Sequence, residues 1–175
     1  ALFAKRDLLY GHHLLTPEAV PVIVEGPMDA IAVTLAGGGG FVGVAPLGTA
    51  LTPEQTLLLS TSKVAVIATD ADNAGHTAAE DTFWLLAGHR HDPHRLLLPT
   101  GSDPAQLLEQ HGPTALHDAL TGATTLQAEL MIRDRVTFLD PAEAGRQIAE
   151  ITAARPPATW EQHLALVPEE QTRHL

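Results

Sequence analysis

The chain contains no cysteine, which excludes a disulfide framework and any thiolate zinc site within it. Aromatic residues make up only 4% of its 175 residues. A core must therefore come from alanine, leucine and valine, and a hydrophobic content of 45% supplies them. Positive charge is also scarce: 10 Lys and Arg against 21 Asp and Glu leave a formal net charge of −11 with histidine neutral. A protein that grips nucleic acid unaided carries a basic stripe, so any such grip is expected from sequence elsewhere in a longer polypeptide. No apolar run reaches membrane-spanning length and no signal-like segment opens the chain. The first residue is Ala1 rather than Met, as in a processed protein or an excised piece. What remains is a cytoplasmic domain without membrane contact, one unit or one unit with an appendage.

What the sequence does have is acid at the ends of apolar runs. Pro21-Val-Ile-Val-Glu25-Gly-Pro-Met-Asp29 reads as strand, glutamate, tight turn and a helix opening on a second acid. Val64-Ala-Val-Ile-Ala-Thr-Asp70-Ala-Asp72-Asn-Ala-Gly75 reads as another strand delivering two aspartates. Carboxylates are costly to bury unpaired. Asp70 and Asp72 stand two apart, so an extended backbone points both to one side. There they repel unless a cation lies between them, and Mg²⁺ is bound through one or two carboxylates and keeps waters for phosphate oxygens. Gly26 lets the chain turn after Glu25, and Pro27 suits the first helical position. The ordinary alternatives stay open: Asp29 could serve only the dipole of its own helix, and Asp72 could only cap the one that follows.

Strand-like and helical stretches alternate from Pro21, the pattern of an α/β sheet. Strands are expected at Val22–Val24, Phe41–Val44, Val64–Thr69 and Arg95–Leu98. Helices are expected at about 27–36, with Met28, Ile31, Ala32 and Leu35 inward, and at about 73–87. Thr52-Pro-Glu-Gln55 carries capping-box chemistry for another helix, and Asp103-Pro104 opens one ending near His111-Gly112. Beyond Pro113 only helices are expected, at 126–139, 140–154 and 159–167. Gly37 to Gly40 reads as a helix-to-strand connector rather than a phosphate loop. His89, His91 and His94 read as a solvated loop rather than a metal site, having no cysteine partner. Lys63, Arg90, Arg95, Arg133 and Arg135 read as surface charges, and Trp84 and Trp160 as packing residues.

Taken together, these motifs resemble the TOPRIM domain of bacterial DnaG-type primases. Glu25, Gly26 and Asp29 match its Glu-Gly-x-x-Asp, and Asp70 and Asp72 its Asp-x-Asp. Pro46-Leu-Gly-Thr-Ala-Leu-Thr-Pro-Glu-Gln55, with Gly48 and Thr49, is similar to the family's Leu-Gly-Thr-Ala-Leu-Thr segment. Asp70-Ala-Asp-Asn-Ala-Gly75 is similar to its Asp-Gly-Asp-x-Ala-Gly, with Ala71 in place of glycine. Leu98-Pro-Thr-Gly-Ser-Asp-Pro104 is similar to its Leu-Pro-x-Gly-x-Asp-Pro, although the acid usual two residues after Asp103 is here Ala105. Asp103 is thus either a metal ligand or only a helix cap.

The resemblance implies an α/β TOPRIM fold, a mainly parallel sheet flanked by helices, over residues 21–112. Residues 1–20 would be a linker or the end of a preceding lobe, and 113–175 a helical appendage. It implies a nucleotidyltransferase making RNA primers on single-stranded DNA from ribonucleoside triphosphates, with a helicase or relaxase engaged through other regions. Glu25 would be general base or ligand; Asp70, Asp72 and Asp103 would hold Mg²⁺ or Mn²⁺; Gly26, Asp29, Gly48, Thr49 and Gly75 would support them. Two other classes stay open: a mobile-element module that binds without turnover, and a TOPRIM nuclease or topoisomerase-like enzyme. The latter is disfavoured because Tyr10, the only tyrosine, lies outside the expected core.

Overall fold

The structure is a computed structural model that describes residues 8–46, 48, 50–59, 62–69, 79, 82, 85–86, 89, 91–99, 101–123 and 139–154. Its strands are β1 (Leu9–Tyr10), β2 (Val20–Ile23), β3 (Phe41–Pro46), β4 (Val64–Ile67) and β5 (Asp92–Arg95). Its helices are α1 (Pro27–Ala36), α2 (Pro53–Leu57), α3 (Pro104–Thr121) and α4 (Pro141–Ala154). The sheet runs β1-β3-β2-β4-β5, parallel throughout except for β1, which pairs antiparallel with β3. After β2 the chain steps one way to β3 and then returns past β2 to β4. The strand order therefore reverses between β2 and β4, the position where open α/β sheets bind ligands beyond their carboxyl ends.

Alternation along the strands divides the core between two faces. Val22, Val24, Val66 and Ala68 pack with Ala30, Val33 and Ala36 of α1 and with Leu107, Leu116 and Leu120 of α3. Ile23, Val44 and Ile67 point the other way, against Leu59, Ala79, Leu86 and, from α4, Ala144 and Ile148. The described helical residues beyond 112 thus contribute to both faces of the sheet. Positions 79, 82, 85 and 86 are helical; the helices expected at 126–139 and 159–167, and both tryptophans, lie outside the described residues.

Capping chemistry placed the helices well. Thr52 accepts the Gln55 N–H at 3.2 Å while Gln55 Oε1 accepts the Thr52 N–H at 3.0 Å, the reciprocal box that starts α2. Asp140 Oδ1 accepts from Ala142 at 3.0 Å and Glu143 at 3.1 Å, opening α4. α3 is two helical pieces joined at Gly112, whose φ of 82° lies in the left-handed region, with Pro113 next; this break stands where the helix was expected to end.

The structure corrects four expectations. Met28, Ile31 and Leu35 of α1 are exposed, and the buried residues are Ala30, Ala32, Val33 and Ala36. The reason is close approach: a Cβ on Gly43 of β3 would lie 2.5 Å from Ala30 Cα, so α1 can meet the sheet only through small side chains. β5 starts at Asp92 and ends at Arg95, where the strand had been expected to begin. Pro93 is accommodated because β5 is an edge strand and proline lacks only a donor there. Arg95 is not a surface charge: it is buried, and burial lowers its pKa. His91 and His94 are not solvated loop residues either. His91 is 4% exposed, with Nδ1 3.0 Å from Ser62 O, and His94 Nδ1 lies 3.3 Å from Ala123 O.

Candidate active site at the carboxyl edge of the sheet

Backbone bonds carry the sheet one step past its central strands. Val24 N–H donates to Val44 O at 3.0 Å, Ala68 N–H to Ile23 O at 2.8 Å and Leu96 N–H to Ile67 O at 3.0 Å. Glu25 is the next residue after Val24 and is exposed at this edge. Gly26 follows as the extended N-cap of α1, its carbonyl accepting the Ala30 N–H at 3.1 Å. Asp29, in the first turn of α1, is half-buried.

α3 begins at the same edge. Asp103 is its N-cap and Oδ1 accepts the Gln106 N–H at 2.6 Å. The neighbouring Ala105 N–H donates instead to Asp29 Oδ1 at 3.2 Å. Asp103 and Glu25 both lie close enough for their charge to act on Asp29. Burial and then these two carboxylates hold its pKa above the usual 3.8, while the Ala105 and Gly26 amides favour its ionised form. Three carboxylates from two chain segments, the β2–α1 junction and the start of α3, thus converge beside the β2–β4 reversal. All three were marked by the sequence, but the contact between Asp29 and the first turn of α3 was not, because its donor is the Ala105 backbone amide; the signal was the Asp-Pro start of α3, which leaves the second helical N–H to be satisfied from outside.

Among the described residues, Glu25, Asp29 and Asp103 offer oxygen donors at this edge, the chemistry suited to Mg²⁺ rather than to a softer metal. Among the described residues no group of three or more His, Cys, Asp or Glu side chains is arranged to hold a metal ion. Asp70 and Asp72, which follow β4 in sequence, lie outside the described residues, as do Thr49 and Gly75. Gly48 is exposed, and a Cβ there would meet no described atom within 4 Å. Tyr10 lies on β1 and lines a groove of about 230 Å³ with Leu14, Ile31 and Leu35. Lys63, just before the amino end of β4, is exposed at the opposite end of the strands from Glu25. Among the described residues no helix is long and apolar enough to cross a membrane.

Comparison with known proteins agrees with this architecture. A family described as Toprim-like matches residues 22–108, the stretch from β2 into α3. The chain is 35% identical over 134 residues to the DNA primase of Pasteurella multocida, covering 72% of this chain and 23% of that one. It is 31% identical over 177 residues to the DNA primase of Campylobacter jejuni, covering 95% of this chain and 29% of the relative. The chain therefore spans less than a third of the length of these relatives. The RNA polymerase domain of Mycobacterium tuberculosis primase DnaG, in complex with double-stranded DNA, superposes with a TM-score of 0.65 at 25% identity, over 94% of this chain and 56% of that one. With this sheet order and these relatives in agreement, the chain belongs to the TOPRIM domains of the bacterial DnaG-type DNA primase family.

Proposed function

We propose that this chain is the catalytic core of a DNA-dependent primase that makes short RNA primers from ribonucleoside triphosphates on a single-stranded DNA template in the cytoplasm. The observation carrying the reading is the convergence of Glu25, Asp29 and Asp103 where the strand order reverses, in a family whose relatives are DNA primases. Glu25, Asp70, Asp72 and Asp103 would hold Mg²⁺ or Mn²⁺; when bound, such a cation supplies neutralising charge at the pyrophosphate leaving group. Glu25 acts as general base toward the attacking 3′-hydroxyl, or as a ligand. Gly26, Asp29, Gly48, Thr49 and Gly75 are the supporting residues that the family resemblance implies. With a net charge of −11, the chain draws its hold on the template from other parts of a longer protein, through which a helicase or relaxase also engages.

A second reading has one observation in its favour. Asp103 already spends Oδ1 on the Gln106 amide, and position 105 offers only alanine, so the carboxylate set is smaller than a full one. That favours a module binding metal and nucleic acid without turnover. Primer synthesis on single-stranded DNA by the full-length protein separates the two, with Glu25→Gln as the informative variant. It keeps shape and hydrogen-bonding reach but cannot accept the proton, and should lower synthesis by roughly a hundredfold, the scale of a general base. Synthesis that survives while Mg²⁺ affinity collapses would make Glu25 a ligand. Survival of both would remove it from the machinery. The paired change Asp70→Asn with Asp72→Asn should abolish Mg²⁺ binding by calorimetry, and unchanged binding would move the metal elsewhere.

A further inference from the structure

We propose that Asp29 is a positioning residue whose carboxylate clamps the first turn of α3 to the first turn of α1 and so fixes where Asp103 stands relative to Glu25. The proposal rests on the metal reading above for its consequence, though not for the contact itself.

The first amides of a helix have no partner within it. In α3 the first position is Pro104, which has no N–H to satisfy. The second amide, Ala105, donates to Asp29 Oδ1 at 3.2 Å, and the third, Gln106, to Asp103 Oδ1 at 2.6 Å. Two carboxylates from different elements therefore saturate one turn. An aspartate acting only on the dipole of its own helix α1 would need no such contact across 76 residues of chain. At the other end of α1 the pair is held again: His117 Nδ1 of α3 lies 3.0 Å from Ala36 O, and its ring meets Phe41 edge-on. Two polar fastenings thus join α1 to α3, one on each side of the break at Gly112, with Ala30, Val33, Leu107 and Leu116 buried in the same apolar cluster. The Asp29 fastening is the one at the candidate site. Because Asp103 Oδ1 is engaged by Gln106, a cation there would meet Oδ2, whose direction follows from where the first turn of α3 is held.

Three variants test this in the 175-residue chain. Asp29→Asn keeps an oxygen able to accept the Ala105 amide, Asp29→Ala removes it, and Asp29→Glu keeps the charge but displaces the oxygen by a methylene. The readouts are hydrogen exchange of the Ala105 amide by NMR without metal, and Mg²⁺ affinity by calorimetry, with circular dichroism reporting the fold. The Asn variant should protect Ala105 as the parent does. The Ala and Glu variants should exchange it at least ~10-fold faster and bind Mg²⁺ about 10-fold more weakly, the scale on which residues supporting a metal site act. Unchanged Ala105 exchange in the Ala variant overturns the clamp; should that variant not fold, unchanged exchange in the Glu variant does the same. If the Asn variant protects Ala105 yet loses as much Mg²⁺ affinity as Asp29→Ala, Asp29 works through its charge and positioning is overturned. A parent chain that takes up no Mg²⁺ defeats the metal reading instead, and the exchange arm still decides the clamp.

Discussion

At the scale of single residues, one buried and one half-buried titratable group make stability depend on pH in opposite senses. His91 is held below its usual 6.5 by burial first, against the carbonyls of Ser62 and Thr56 and together with the nearby His89. A depressed base binds fewer protons folded than unfolded, so its stabilising contribution is complete above pH 6.5 and is lost as pH falls below it. Thermal unfolding should therefore show stability declining from neutral toward acid pH, and His91→Gln should flatten that decline. Asp29 behaves conversely. Its folded pKa lies above 3.8, so its contribution is complete below 3.8 and is lost as pH rises through the folded value. Asp29→Asn keeps the acceptor while removing the charge. Urea titration should show it more stable than the parent at pH 7, with the difference closing as pH falls below the parent's folded pKa. A carboxylate retained at a cost to stability is what a functional site leads one to expect.

At the scale of elements, α1 and β3 approach each other closely through backbone. Gly43 N–H donates to Thr34 Oγ1 at 3.0 Å and that hydroxyl donates to Ala30 O at 2.8 Å, leaving no room for a side chain at 43. Gly43→Ala should destabilise the fold by about 1–3 kcal/mol or more, the range for overpacking, measurable as a lowered urea midpoint with unchanged slope. This contact also marks the limit of what the sequence made legible. The capping residues Thr52, Asp103 and Asp140 act on amides two or three positions away, so their helices were readable. The inward face of α1 depends on Gly43, in another element, and ranking Met28, Ile31 and Leu35 by hydrophobicity alone reversed it. β5 was misplaced because the apolar run Leu96–Leu98 looks more strand-like than Asp92–Arg95, whose place is set by pairing with β4. Glu25, Asp29 and Asp103 were legible as carboxylates at element boundaries; the bond between the Asp29 carboxylate and the Ala105 amide was not.

At the scale of the whole molecule, acidity and topology have separate consequences. A chain of net charge −11 should bind single-stranded DNA only weakly at physiological salt, and submicromolar, salt-sensitive binding in a fluorescence titration would place a nucleic-acid grip within it after all. The reversal of strand order bears on how the protein is made. β3 follows β2 closely in sequence, but the second edge of β2 has no partner until Val22 can pair with Val66 and Ile23 with Ile67. Until then the growing polypeptide carries an apolar strand with one open edge, a template for pairing between nascent chains. A version ending before Val64 should scatter light at concentrations where the complete chain stays clear. Translation thus delivers the strands on either side of β2 at different times, and the acidic edge gains its second flank only as β4 slots in beside β2.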